Sequence, residues 1–320
     1  MPGFRTSAAS AAAFATTLLL GLGPALAAED VAGKPVQDGT GFQKPVTPIM
    51  RDLVWLDDFL LLIITAITLF VTALLGWCIY RYNAKRNPEP AKFTHNALIE
   101  VIWTGVPVVI LVIIAIPSLR LLFDQLDVPE PDVTIKATGN QWFWSYEYPE
   151  HEIEMDAYMI GSAATTAPDG TFPEDYEPTF DWTLNDDTAK TLAAYGYERD
   201  EFLLATDTRV LVPVNKNVHV LVTGSDVIHA WAIPSFGVKI DTIPGRVNET
   251  WFRAEEIGTY FGQCSELCGL QHSYMPIVVE VVSQEDYDAW IAEQVAAKSG
   301  DAPQYAAAAP AAADKDNATE

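Results

Sequence analysis

The chain is short of positive charge and of cysteine. Its 320 residues carry 19 Lys and Arg against 43 Asp and Glu, a formal net charge of −24. A surface this acidic repels nucleic acid, so no nucleic-acid partner is expected, and it attracts a basic protein at a rate sensitive to salt. Plain solubility is the simpler use of many of these acids. Three cysteines permit one pair at most. Cys-x-x-Cys-His is absent, so no c-type haem is expected in this chain. Histidine is scarce as well, at five residues, so each placement carries weight.

The acid is unevenly spread. From Asp124 onward there are 35 acidic and 10 basic residues, a net of −25, while the part before it is close to neutral. That first part begins with Arg5, a short apolar stretch "AAAFATTLLLGLG" and the small-residue run Ala25-Leu26-Ala27. These are the parts of a secretory signal, with cutting expected after Ala27. Export leads to an oxidising compartment, where paired cysteines often become disulfides. An external segment over 28–52 is expected to follow.

Two uncharged apolar runs come next, Phe59–Tyr80 and Val101–Leu119. Each is close to the ~20 residues that span a hydrocarbon core as helix. They define a transmembrane hairpin over 53–123, with Pro107 and Pro117 in the second helix. Cys78, inside the first run, reads as a small buried hydrophobe. The connection carries Arg81, Lys85, Arg86 and Lys92 against Glu89, and short basic loops stay in the cytoplasm. Both ends of the hairpin then face outward, in agreement with the signal peptide.

From residue 129 to 283 the pattern changes to short β-rich segments: "VTIKATG", "QWFWSYEY", "RVLVPV", "NVHVLVTG", "TYFGQC" and "IVVEVV". Gly, Pro and Asn punctuate them, which predicts an all-β sandwich or small barrel. An acidic insert at 161–200 interrupts it and contains a short helical pattern, "DDTAKTLAAYG". Ser283 followed by Asp286 starts a further helix over 284–298. The Ala- and Pro-rich remainder, 299–320, has little to bury and reads as disordered.

The chemistry is concentrated in "QCSELCGLQHSYM", residues 263–275. Cys264, Cys268, His272 and Met275 are all possible metal ligands. Zinc takes Cys and His, but thioether is a soft ligand that suits copper. A disulfide explains neither His272 nor Met275. A mononuclear blue-copper site needs only one thiolate. A further ligand is expected from an earlier part of the sandwich, and His229 in "SDVIHAW" competes best. His95 lies in the cytoplasmic loop, His151 in an acidic turn, and His219 mid-strand. Two coppers bridged by both sulfurs would use every ligand, each with one histidine and one weaker group. Sharing one electron over two metals reduces the rearrangement at each, which suits electron transfer. No open position is left for hydrolysis.

The motif Cys-Ser-Glu-x-Cys-Gly-x-x-His-x-x-Met, with a distant His before Ala-Trp, resembles subunit II of the bacterial haem–copper cytochrome c oxidases (aa3-type). The likeness runs from about Trp55 to Trp290. It implies a cupredoxin-like domain holding the dinuclear copper centre CuA through His229, Cys264, Cys268, His272, Met275 and the backbone carbonyl of Glu266. It implies that the Glu266 side chain holds Mg or Mn at the boundary with subunit I. It implies that Trp142, in an aromatic strand with Trp144 and Tyr146 as core, is exposed and admits electrons from cytochrome c. Strict alternation would put Trp142 and Trp144 on one face. Glu150, Glu152, Asp207 and Asp226 fall where the family docks cytochrome c. Glu100 falls at the mouth of a proton path, and equally suits a helix N-terminus. The family has His where Asn140 stands and commonly Tyr where Phe143 stands. The implied setting is the bacterial inner membrane, two-pass, with the copper domain outside. The haem belongs to subunit I, where oxygen is reduced to water with proton pumping. Alternatives are an electron-entry subunit of a nitric oxide reductase type enzyme and a membrane-tethered copper carrier.

Overall fold

A computed structural model describes residues 31–89, 91–161 and 183–299. The expected signal peptide, the tail from 300 and residues 162–182 of the insert lie outside the described residues.

Helix α1 runs over Pro48–Arg81 and α2 over Ala97–Leu126, both longer than the apolar runs they contain. The start of α1 explains its extra length. Thr47 Oγ1 accepts the Met50 N–H at 3.0 Å, and Pro48 supplies a preset φ where no donor is needed. The same hydroxyl donates to the Phe236 carbonyl at 2.8 Å, so the cap also fastens α1 to the β-domain. Val46, Ile49 and Met50 are buried there, and Arg51 pairs with Glu255 at 2.7 Å. At the end of α2 the Trp251 indole donates to the Asp124 carbonyl at 3.2 Å. The α2 helix continues through Pro107 and Pro117. Asn96 caps it by accepting from Leu98 and Ile99. Most hairpin side chains face outward, because each helix has only the other beside it along the apolar runs. Cys78 is accordingly exposed, not buried as its apolar setting suggests.

The rest is β-structure. Strands β1 (Val133–Asn140), β2 (Phe143–Tyr148), β3 (Ile153–Ala157), β5 (Val218–Gly224) and β8 (Asn248–Phe252) form one sheet in the order β3-β2-β1-β5-β8. Strands β4 (Val210–Pro213), β9 (Gly258–Gln263) and β10 (Pro276–Val282) form a second, ordered β4-β10-β9. A ribbon of β6 (His229–Ile233) and β7 (Val238–Thr242) completes it. In β1 the buried residues alternate, Val133, Ile135 and Ala137, and in the parallel β5 they are Val218, Val220 and Val222. This period of two places one face of the sheet on the core. Trp144, Tyr146, Trp231, Phe236 and Phe252 fill the space between the layers.

The described part of the insert contains helix α3 (Asp186–Ala194). Leu192, Tyr195 and Tyr197 cover Phe261 and Val278 from β9 and β10. Arg209 holds this layer, reaching Glu280 at 3.1 Å and the Tyr197 hydroxyl at 2.9 Å. Helix α4 (Gln284–Ser299) closes the described chain, with Trp290 packed on Tyr148.

Candidate metal centre

The ligand-rich motif is the connection between two paired strands. Pro276 of β10 faces Gln263 of β9, and residues 264–275 form the loop between them. The Cys264 N–H points at the Met275 carbonyl across 3.4 Å, closing the loop at its base. A 3-10 turn over His272–Tyr274 brings His272 and Met275 back over the cysteines. His229 comes from elsewhere, as the first residue of β6. Ser265 N–H donates to the Ala230 carbonyl at 3.0 Å, which docks the loop on that strand.

The five side chains converge. The thiols of Cys264 and Cys268 stand 3.8 Å apart and are free. Cys264 Sγ lies 3.9 Å from His229 Nδ1 and 3.3 Å from the Glu266 carbonyl. Cys268 Sγ lies 3.6 Å from His272 Nδ1 and 3.6 Å from Met275 Sδ. His229, Cys264, Cys268 and Met275 are buried, and His272 is half-buried. Two thiols, two imidazoles, a thioether and a carbonyl in one pocket make a soft donor set, which fits copper.

The acid–base properties of the thiols suit metal binding. Burial opposes ionisation of both. At Cys264 the hydrogen bonds with His229 and with backbone outweigh it and bring the thiol down to about 7. Burial, and then the charge of Cys264, push Cys268 up to about 12. One thiolate forms readily, and the second needs a cation beside it.

A set of supports surrounds the ligands. Asp226 Oδ1 lies 2.9 Å from His229 Nε2. A carboxylate there fixes the proton on Nε2 and leaves the Nδ1 lone pair for the pocket. Asp226 also accepts the N–H of Gln141 at 2.7 Å, and the Gln141 side chain donates to the Cys268 carbonyl at 2.7 Å. Trp144, fully buried, donates its indole N–H to the Met275 carbonyl at 3.1 Å and sets its ring edge-on to His229, 6.0 Å between centroids.

Trp142 does not share a face with Trp144. It lies in the turn before β2, so the alternation of the strand does not reach it. It is half-buried, not exposed, and its indole N–H donates to the Cys268 carbonyl at 3.3 Å. The docking acids separate into two groups. Asp226 is beside Trp142 through Gln141. Asp207 is half-buried and accepts the Tyr158 N–H at 2.8 Å, while Tyr158 stacks on Phe143. It therefore holds backbone and is not a freely solvated charge. Glu150 and Glu152 belong to the β2–β3 turn, at the opposite end of β2 and about 20 Å along it from Trp142. Glu152 is occupied by Lys298 of α4 at 3.0 Å. Glu266 is exposed. Glu100, in the first turn of α2, accepts the Asn96 N–H at 3.3 Å, so it serves the helix start. His219 meets Glu249 at 3.0 Å on the sheet surface, away from the pocket.

Gln141 was not singled out in the sequence, and Asp226 and Trp144 were expected as a docking acid and as core, not as supports of the ligands. The one signal was Asp226 standing three residues before His229.

Comparison with known proteins gives the family. Residues 35–121 match the family described as the transmembrane domain of cytochrome c oxidase subunit II. Residues 133–173 and 172–282 match the periplasmic domain of the same subunit. The chain belongs to the cytochrome c oxidase subunit II family. Cytochrome c oxidase subunit 2 of Cereibacter sphaeroides is 53% identical over 262 residues, 82% of each chain. A probable cytochrome c oxidase subunit 2 of Rickettsia felis is 46% identical over 278 residues, 86% of this chain and 78% of that one. The crystal structure of the periplasmic domain of subunit II from Bradyrhizobium japonicum is 42% identical, covers 55% of this chain and 100% of its own, and has a TM-score of 0.39. The chain is thus a copper-binding, two-pass membrane subunit of an oxidoreductase that works with other oxidase subunits. The relatives favour this over a copper carrier or a nitric oxide reductase subunit.

Proposed function

We propose that this subunit holds two coppers through His229, Cys264, Cys268, His272, Met275 and the Glu266 carbonyl, and carries electrons from cytochrome c towards the haem of subunit I. The observation behind this reading is the number and kind of donors in one pocket. Two thiols lie 3.8 Å apart, and each has an imidazole within 3.9 Å. When bound, the copper pair supplies a one-electron carrier whose charge is spread over two metals.

The chain's own residues do the rest. Burial keeps water from the thiolates. Asp226 and Trp144 hold His229, and Trp144 and Gln141 hold the loop carbonyls. The Trp142 indole forms a bonded bridge from the partly exposed surface to the Cys268 carbonyl, which suits electron entry. Asp226, beside Trp142, and the strongly acidic balance of the chain suit a lysine-rich donor. The exposed carboxylate of Glu266 suits a shared Mg or Mn completed by subunit I, because hard divalent ions take oxygen ligands. Glu100 would stand at a proton-path mouth on the cytoplasmic side. The basic loop between the helices supports a copper domain on the outer side of the bacterial inner membrane.

Trp142→Ala tests the entry point. In the purified oxidase complex it is expected to leave cytochrome c binding nearly intact and to slow copper reduction by orders of magnitude in stopped flow. A normal rate would move the entry point elsewhere.

A further inference from the structure

We infer that Gly139 is a positioning residue of the metal centre: the side chain it lacks is the space in which the His229 imidazole lies. The inference rests on the copper reading above and adds a residue to it.

Along β1 the core-facing positions are Val133, Ile135, Ala137 and then Gly139, at the end of the strand nearest the site. A side chain at 139 would point inward like its predecessors. A Cβ built there would lie 2.8 Å from His229 Cδ2, 2.9 Å from Cγ and 3.0 Å from Cβ. All three are His229 side-chain atoms, two of the ring and the last, Cβ, fixed to the β6 backbone. The ring therefore cannot simply swing aside. Its other contacts are also set, with Asp226 on Nε2 at 2.9 Å and Trp144 at its edge.

The paired glycine across the sheet shows that this role is particular to 139. Gly224 faces Gly139 in the β1–β5 register. A Cβ at 224 would meet the carbonyl oxygens of Val227 at 2.7 Å and Thr242 at 2.8 Å. Gly224 thus admits backbone, whereas Gly139 admits a ligand side chain. The backbone at 139 does not have a positive φ, so alanine is conformationally acceptable there and its cost falls on His229.

The test uses the full chain in its oxidase complex. Gly139→Ala is expected to lower copper affinity about 10–100-fold against a chelator, as loss of a ligand's support does. The paramagnetic resonance of the remaining copper should show unequal coupling to the two nuclei. A wild-type spectrum and affinity in Gly139→Ala would overturn the inference. If the wild type itself shows no shared electron, the copper reading fails, and that result is distinct. A second variant covers failure to fold. Gly139→Ala with His229→Gly should accumulate in membranes as well as His229→Gly alone, because His229→Gly removes all three of the nearest atoms, Cδ2, Cγ and Cβ. Equal loss of chain with and without the imidazole would show that β1 needs the glycine for itself, and would sink the proposal.

Discussion

His229 and His272 reach the same two sulfurs from differently built regions. His229 starts a strand, is fully buried, and is held at Nε2 by Asp226, at its edge by Trp144 and across its side by Gly139. His272 rides on a short turn of the 264–275 loop and is half-buried, and among the described residues nothing bonds its Nε2. Its loop neighbours Leu267 and Leu270 are exposed at 78% and 93%. One side of the centre is therefore built into the sandwich, and the other is presented outward. A carrier that must hold its metals rigidly and still meet partners needs both kinds of support.

The largest effect that separates the two sides is expected from Trp144→Ala. This ring supports His229 and the Met275 carbonyl together, and removing a buried Trp costs about 3–5 kcal/mol. Leu270→Ala, on the exposed loop, should change stability by less than about 0.5 kcal/mol. Denaturant unfolding of both variants checks the contrast, and similar costs would break it.

Asp226→Ala gives a smaller effect confined to metal. Removing the carboxylate that fixes the His229 tautomer should cost about 10–100-fold in copper affinity, with the fold retained. Competition with a graded chelator series measures it. An unchanged affinity would mean that Asp226 is only part of the acidic surface.

The smallest effect concerns pH and lies outside the pocket. Burial raises the Asp207 pKa to about 7 against backbone hydrogen bonds that lower it. The folded chain then holds this proton more tightly than the unfolded chain, whose Asp titrates near 4. The stabilisation from this proton is full below about pH 4 and is lost as pH rises to about 7. Asp207→Asn should flatten stability over that window. An unaltered pH slope in thermal melts would show that Asp207 titrates as a surface acid.

Much of this could be read from the residues. The soft ligands stand close together in "CSELCGLQHSYM", and copper chemistry limits what such a set can hold. The transmembrane runs and six strands are visible because apolar runs and period-two alternation are local patterns. The strands β3, β6, β7 and β8 were harder to see. All four are five residues long, and "IEMDA", "VKIDT" and "NETWF" carry charge, so tertiary pairing decides them. The supports of the site were hidden for a related reason. Gly139 and Gln141 act across more than 80 positions of chain, and Asp226 differs from a solvated acid in the sequence only by standing three residues before His229. Trp142 misled the alternation argument because the strand starts one residue after it.

The most direct test is paramagnetic resonance of the copper-loaded chain in its oxidase complex, with metal counted on the same sample. Two coppers per chain are expected, with one unpaired electron coupled equally to both nuclei, and with Met275→Leu retaining both while raising the redox potential or unbalancing the sharing. A single copper with its electron localised on one nucleus, or zinc in the pocket, would contradict the assignment of all six donors to one dinuclear centre.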